Sequence, residues 1–149
     1  MTIWLDMDGT IADLYSVENW LDMLIAEDET PYAIAKPMLN MNGLARQLNA
    51  LRRKGYKIGI ISWLSKTSTP EYDTKVTNAK LKWLNEHLAS VVFDEIKIVA
   101  YGTNKWNACK GGILFDDEER NRITWKATAF EPHRITEVLS ILNHERPIR

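Results

Sequence analysis

Cysteine is almost absent from the sequence, as are long apolar segments. Cys109 is the single cysteine among 149 residues, so the chain cannot form an internal disulfide. A lone thiol is typical of a reducing compartment. No apolar segment reaches the roughly 20 residues of a membrane-spanning helix, and residues 1–5 lack the basic start and apolar run of a secretory signal peptide. We therefore expect a cytoplasmic protein without a membrane partner.

The chain also has little net charge. Its formal charge is −1 at pH 7, which gives no overall basic surface for nucleic acid, and the basic run at residues 52–54 is better explained as the last turn of a helix. His87, His133 and His144 show no metal-ligand spacing. The composition is that of an ordinary globular protein. Its length predicts a single domain spanning residues 1–149.

Short apolar runs alternate with segments of helical spacing. The runs predict strands at residues 3–5, 56–61, 96–100, 112–115 and 127–130. Leu44, Leu48 and Leu51 predict a crossover helix, with Asn42 as its N-cap and Gly55 as its stop. Thr69 and Pro70 start a second helix, and a final helix runs through Leu142 to a frayed tail from His144. This alternation predicts an α/β fold, a Rossmann-like three-layer sandwich with a central parallel sheet of about five strands.

Polar residues stand at the ends of three predicted strands. Asp6, Ser62 and Asp116 each follow a strand directly, so we expect them to meet at the carboxyl edge of the sheet, where ligands bind in such folds. Residues 6–10, Asp-Met-Asp-Gly-Thr, also form a turn whose glycine frees the backbone and whose amides can bind phosphate oxygens. In the alternative interpretation, this Asp and Thr merely cap their neighbours. That alternative does not explain why Ser62 and Asp116, far away in the sequence, also follow predicted strands.

The order of these motifs resembles the haloacid dehalogenase-like superfamily. Asp-x-Asp-Gly-Thr comes first, then Ser62, then a lysine, and then Asp116 and Asp117. A response-regulator receiver has similar residue types, but its acidic residues come early and its lysine last. The resemblance implies a hydrolase with a core of that superfamily's type and a minimal helical cap, acting as a phosphatase.

The resemblance also implies roles for the early motifs. Asp6 would be the nucleophile, forming an aspartyl-phosphate that water hydrolyses, and Asp8 would be the general acid and base. Met7 and Asp8 would belong to the phosphate-binding turn. The Ser62 hydroxyl and the Trp63 amide would bind a phosphate oxygen.

A magnesium ion is expected because an anionic nucleophile repels an anionic phosphate. The resemblance makes Asp6 and Asp117 direct ligands, adds the backbone carbonyl of Asp8, and places Asp116 behind a bound water. The choice between Asp116 and Asp117 stays open. In the alternative interpretation, the acidic stretch 116–119 is only the start of a helix.

The lysine of the third motif has two candidates. Lys110 enters the fourth predicted strand, which places it roughly 13 Å from the carboxyl edge at about 3.3 Å per residue. Lys105 follows the exit of the third strand and is therefore near that edge. We select Lys105, and either lysine could instead be an ordinary surface charge.

Between the first and second motifs, only residues 12–40 could form a cap that selects the substrate. They could form a small helical lid or a peripheral helix packed on the core. Residues 5–15 and 113–117 look most like the 5'(3')-deoxyribonucleotidase branch, which implies a nucleotide substrate, although that branch carries a longer cap. Aromatic candidates for stacking on a flat group are Tyr15, Trp20, Tyr32 and Trp63.

An open site admits other interpretations. A larger substrate such as a nucleic-acid end could enter it, or another subunit of an oligomer could close it. The alternatives to a small-molecule phosphatase are therefore a polynucleotide phosphatase, a phosphotransferase, and a module that binds a phosphorylated ligand without turnover. The presence of both Asp6 and Asp8 argues against the last of these.

Overall fold

The computed structural model describes residues 1–145, which form a parallel sheet between two layers of helices. The strands are β1 (Thr2–Leu5), β2 (Ala12–Asp13), β3 (Lys36–Pro37), β4 (Lys57–Trp63), β5 (Glu95–Val99), β6 (Ile113–Phe115) and β7 (Ala129–Phe130). The helices are α1 (Trp20–Ile25), α2 (Thr30–Ile34), α3 (Met41–Arg53), α4 (Pro70–His87), α5 (Lys105–Cys109), α6 (Glu119–Thr124) and α7 (Ile135–His144). Short 3-10 turns occupy Leu14–Ser16 and Pro132–Arg134.

The main sheet has five strands in the order β5-β4-β1-β6-β7, and every neighbouring pair is parallel. Strand β1 is central because it pairs on both sides: Ile3 lies opposite Ile58 of β4 and Ile113 of β6. Strands β2 and β3 form a separate antiparallel pair. The predicted α/β fold with a parallel sheet of about five strands is therefore confirmed.

Side chains of β1 alternate between the two faces of the sheet. Ile3 and Leu5 pack in the core with apolar residues of α3 and α7. Trp4 packs on the opposite face, with Trp106 and Trp125 against it, and its indole N–H donates to the carbonyl of Gly111 at 3.0 Å. A strand buried on both faces needs apolar residues at every position, which explains the continuous run in the sequence.

Some element boundaries differ from the sequence-based expectations. Asn40, not Asn42, caps α3: its side chain accepts a hydrogen bond from the Gly43 amide, and Asn42 lies inside the first turn. Both residues can cap a helix, and only the position where the chain turns decides between them. Thr69 caps α4 as expected.

Some strand and helix ends near the polar residues at the carboxyl edge also differ from those expected from the sequence. Ser62 lies within β4 rather than after it, because Trp63 still pairs with Val99 of β5. Helix α6 starts soon after the acidic pair, so the stretch 116–119 both follows a strand and leads into a helix. His144 is the last residue of α7, and the rest of the expected tail, 146–149, lies outside the described residues.

Residues 12–40 pack against α4. Leu24 and Tyr32 form an apolar cluster with Tyr72 and Val76 of that helix, and the Tyr72 hydroxyl donates to the carbonyl of Asp28 at 3.0 Å. Within the described part of the chain, no helix combines the length and apolar character needed to cross a membrane.

Two glycines provide a matched test of the core. A Cβ on Gly59 in β4 would lie 2.5 Å from the ring of Trp4, which is 2% exposed. We expect Gly59→Ala to lower the free energy of unfolding by about 1–3 kcal/mol, because a close-packed ring has no room to move. Gly43→Ala in α3 meets nothing closer than 3.6 Å and should stabilise the protein by about 0.5–1 kcal/mol. Denaturant unfolding measures both, and equal effects would contradict the packing described.

Candidate active site

The turn after β1 begins at Asp6 and is held by its own backbone. The amides of Thr10, Ile11 and Ala12 all donate to the carbonyl of Met7 at 3.0 Å. Gly9 adopts a positive φ of 78° and lies against Asp117, so a side chain at this position would collide with that carboxylate. The side chain of Met7 is buried in the core. Only the backbone of Met7 could therefore take part in binding a phosphate.

Lys105 joins the carboxylates that follow β1 and β6. Its Nζ lies 2.9 Å from Asp6 Oδ1 and 2.6 Å from Asp116 Oδ2, and its side chain is 1% exposed. Asn104 caps α5 and so places Lys105 at the first position of that helix. Lys110, the other candidate, is exposed at the C-terminal end of α5. The structure thus brings Lys105 to the carboxyl edge.

The charge on Lys105 is stabilised by its neighbours. Burial would lower the pKa of its ammonium group, but the nearby charges of Asp6 and Asp116 outweigh burial and raise that pKa. Lys105 therefore stays protonated and can neutralise one of the carboxylates.

Asp116 and Asp117 differ in how their oxygens are engaged. Asp116 Oδ2 accepts from Lys105 and from Asn121 at 3.1 Å, and its Oδ1 accepts from the Glu118 amide at 2.9 Å. Asp117 Oδ1 is 3.4 Å from the hydroxyl of Thr10, which also donates to Asp6 Oδ2 at 3.0 Å. Both oxygens of Asp116 are thus already hydrogen-bonded.

The carboxylates form a group that could hold a metal ion. One oxygen from each of Asp6, Asp116 and Asp117 lies within 4.8 Å of the others. Burial, followed by the charge of Asp6, raises the pKa of both Asp116 and Asp117. A donor set of oxygens without nitrogen or sulfur suits a hard divalent cation such as Mg²⁺.

A second buried lysine, Lys80, lies beside Asp8. Its Nζ is 2.8 Å from Asp8 Oδ2 and 2.6 Å from Ser62 Oγ. Burial raises the pKa of Asp8, and the charge of Lys80 opposes that shift. Lys80 is not among the site residues predicted from the sequence. The signal was its position on the apolar stripe of α4, four residues after Val76 and three before Trp83.

Trp63 forms part of the wall beside these charged groups. Its indole N–H donates to the carbonyl of Thr103 at 2.9 Å, and its ring centroid is 5.0 Å from that of Tyr101. The guanidinium of Arg120 lies 4.8 Å above the same ring. The carbonyl of Trp63 accepts from Lys80 at 2.8 Å.

A cavity of about 520 Å³ opens above Asp6, Asp8, Lys105 and Asp117. Its walls are mainly apolar and aromatic: Leu14, Tyr15, Trp20, Leu21, Leu24, Ile25, Tyr32, Trp63, Leu64 and Tyr101. The first seven of these belong to residues 12–40. That segment therefore lines the cavity as well as packing on α4.

Comparison with known proteins identifies a shared fold. Neither a protein-family model nor a curated protein matches this chain. Among solved structures it is similar to D,D-heptose 1,7-bisphosphate phosphatase from Burkholderia thailandensis, with a TM-score of 0.56 and 13% sequence identity. The match covers 97% of this chain and 99% of that one. At this identity the likeness establishes the fold alone.

Asp117→Asn tests whether the carboxylates bind a cation. Because the pKa of Asp117 is raised, ionising it costs stability, and this cost grows as the pH rises above the ordinary value of 3.8. Without metal we expect Asp117→Asn to melt a few degrees above the wild type at pH 8, with a smaller difference at pH 5. Mg²⁺ should raise the melting temperature of the wild type at pH 8 but not that of the variant.

Asp22→Asn, on the exposed face of α1, is the matched control and should respond to Mg²⁺ like the wild type. An equal Mg²⁺-dependent rise in all three proteins would show that the cation binds elsewhere.

Proposed function

We propose that this protein is a Mg²⁺-dependent phosphatase that hydrolyses a phosphate monoester through an aspartyl-phosphate on Asp6. The observation that carries the proposal is the meeting of the predicted site residues. Asp6, Asp8, Lys105 and Asp117 line one end of an apolar cavity, and Ser62 and Asp116 lie buried beside them. Their order along the chain is that of the haloacid dehalogenase-like superfamily. The fold shared with a known phosphatase supports the same conclusion.

Asp6 is held as a nucleophile by two hydrogen bonds. Its Oδ1 accepts from Lys105 and its Oδ2 accepts from Thr10, which fixes the plane of the carboxylate below the cavity. One of these oxygens attacks phosphorus while the ester P–O bond breaks and its electron pair moves to the leaving oxygen. Covalent catalysis of this kind divides one difficult step into two easier ones.

Asp8 supplies and recovers the proton. It protonates the leaving oxygen in the first step and removes a proton from water in the second, as water cleaves the aspartyl-phosphate and releases inorganic phosphate. Burial, the largest influence on the pKa of Asp8, favours the protonated acid that the first step requires. The Ser62 hydroxyl and the Trp63 amide bind phosphate oxygens in this proposal.

The metal ligands are those that the resemblance to the superfamily implies. Asp6 and Asp117 would hold Mg²⁺ directly with the Asp8 carbonyl, and each oxygen of Asp6 accepts only one hydrogen bond from the residues that the structure describes. Asp116 would act through water, because Lys105, Asn121 and the Glu118 amide together place three hydrogen bonds on its two oxygens. The bound cation would offset the charge that accumulates when phosphate meets Asp6.

The proposed substrate carries a flat aromatic group next to its phosphate. Tyr15, Trp20, Trp63 and Tyr101 surround the cavity, and rings of this kind suit stacking on a base. This supports the resemblance to 5'(3')-deoxyribonucleotidases and a nucleoside monophosphate as substrate. The cavity is open enough at its mouth, where Tyr15 and Tyr101 are 51% and 50% exposed, for a nucleic-acid end to be the second candidate.

The first test is hydrolysis of a panel of phosphomonoesters with Mg²⁺ or with excess chelator. The panel includes 5' and 3' deoxynucleotides, a 5'-phosphorylated oligonucleotide, an aryl phosphate and glycerol phosphate. We expect turnover only with Mg²⁺, and a loss of at least about 1,000-fold in Asp6→Asn because the nearly isosteric amide cannot attack phosphorus. Asp22→Asn is the matched control, and wild-type activity in Asp6→Asn would remove Asp6 as the nucleophile.

Tyr15→Ala tests the aromatic wall. Losing one stacking surface should raise KM for deoxynucleotides about tenfold, since stacking on an aromatic side chain contributes about 1–3 kcal/mol per base. KM for glycerol phosphate should change little, because that substrate has no ring. Ile123→Ala, at an exposed position outside the cavity wall, is the control. An equal rise in KM for both substrates would argue against stacking on Tyr15.

A further inference from the structure

Lys80 makes three hydrogen bonds inside the protein. Its Nζ lies 2.8 Å from Asp8 Oδ2, 2.6 Å from Ser62 Oγ and 2.8 Å from the carbonyl of Trp63. An ammonium group has three hydrogens and no acceptor. All three hydrogens are used, and the side chain is 1% exposed. Lys80 is therefore not free to bind a phosphate and must act through its neighbours.

The contact with Ser62 determines the direction of the serine hydroxyl. Lysine can only donate, so Ser62 Oγ must be the acceptor in the 2.6 Å contact. The hydroxyl hydrogen of Ser62 then remains to be donated elsewhere. Ser62 itself is fully buried beside the cavity-lining Trp63, so this hydrogen can be donated only to a group that reaches it there.

The contact with Asp8 holds the carboxylate in a defined position. A general acid must come within about 2.6–3.2 Å of the oxygen that it protonates, and an unrestrained side chain would sample several rotamers. Asp8 is 15% exposed on its side chain, and its charged partner Lys80 is anchored to β4 by the other two hydrogen bonds. The position of Asp8 is thereby tied to the position of Ser62.

Residues 12–40 cover Lys80. The ring of Tyr32 in α2 lies 4.9 Å from Lys80 Nζ, in the geometry of a cation–π contact. The segment that lines the cavity thus also keeps water from the lysine. The two buried lysines divide the carboxylates between them: Lys105 pairs with Asp6 and Asp116, and Lys80 pairs with Asp8.

We propose that Lys80 is a positioning residue, which orients Asp8 toward the leaving oxygen and Ser62 toward the phosphate. The inference rests on the proposed function, because it needs Asp8 to act as the general acid. It adds a residue of α4 to a site whose other members lie at strand ends or in the loops and short helix that follow them.

The experiment compares two esters with different needs for a proton. An alkyl phosphate needs protonation of its leaving oxygen, whereas p-nitrophenyl phosphate releases a stabilised anion and needs it much less. We measure kcat/KM with Mg²⁺ for the wild type, Lys80→Met, Asp8→Asn and the double variant. General acid catalysis contributes about 10²–10⁴-fold, so Asp8→Asn should lose about that factor on the alkyl ester and far less on the aryl ester.

Lys80→Met should show the same selectivity, with a loss of about 100-fold on the alkyl ester and less than about tenfold on the aryl ester. The double variant should be little worse than Asp8→Asn alone, because both changes remove one function. Lys82→Met, on the exposed side of α4, is the matched control and should resemble the wild type. Lys80→Gln keeps two donors and replaces Lys80→Met if the latter does not fold.

Two results would overturn the role of Lys80. An equal loss on both esters would indicate a structural role only, and multiplicative losses in the double variant would indicate that Lys80 and Asp8 act independently. If Asp8→Asn itself shows no selectivity, or the wild type hydrolyses neither ester, the proposed function fails and the inference falls with it. Selectivity in Asp8→Asn without selectivity in Lys80→Met would overturn the inference alone.

Discussion

Charge balance at the carboxyl edge of β1 is the constraint on which the rest of this site depends. Four carboxylates, Asp6, Asp8, Asp116 and Asp117, are gathered there against two buried ammonium groups, which leaves two negative charges uncompensated. Like charges this close repel each other strongly inside a protein. Burial, followed by the charge of Asp6, raises the pKa values of Asp116 and Asp117. A divalent cation would restore neutrality.

Different parts of the structure position the two buried lysines, Lys105 and Lys80. Lys105 is placed by the Asn104 cap of α5, a local feature. Lys80 depends on the docking of the whole of α4, which is held by Trp83 in the core and by Tyr72 against residues 12–40. That segment also lines the cavity. The proposed substrate site and the proposed positioning of Asp8 therefore both depend on residues 12–40.

The positions expected from the sequence were most accurate next to strands. Asp6 and Asp116 directly follow β1 and β6, as predicted, and Lys105 rather than Lys110 lies near the edge, as their distances along the chain predict. The sequence predicts Asn42 as the N-cap of α3, whereas Asn40 occupies that position; the two asparagines are two residues apart and have equal capping ability. Ser62 was placed after β4, whereas pairing with β5 extends that strand to Trp63. Such errors arise where a tertiary contact sets the end of an element.

The sequence by itself determined the α/β fold, the parallel sheet and the acidic groups at its carboxyl edge. A residue that directly follows a buried parallel strand can lie only at that edge, so local pattern decides its place. Only the tertiary structure decided that Lys80 reaches Asp8 and Ser62, and that residues 12–40 line the cavity. The direction of a helical side chain depends on how its helix rotates and docks, and this is set by long-range packing rather than by neighbours in the chain.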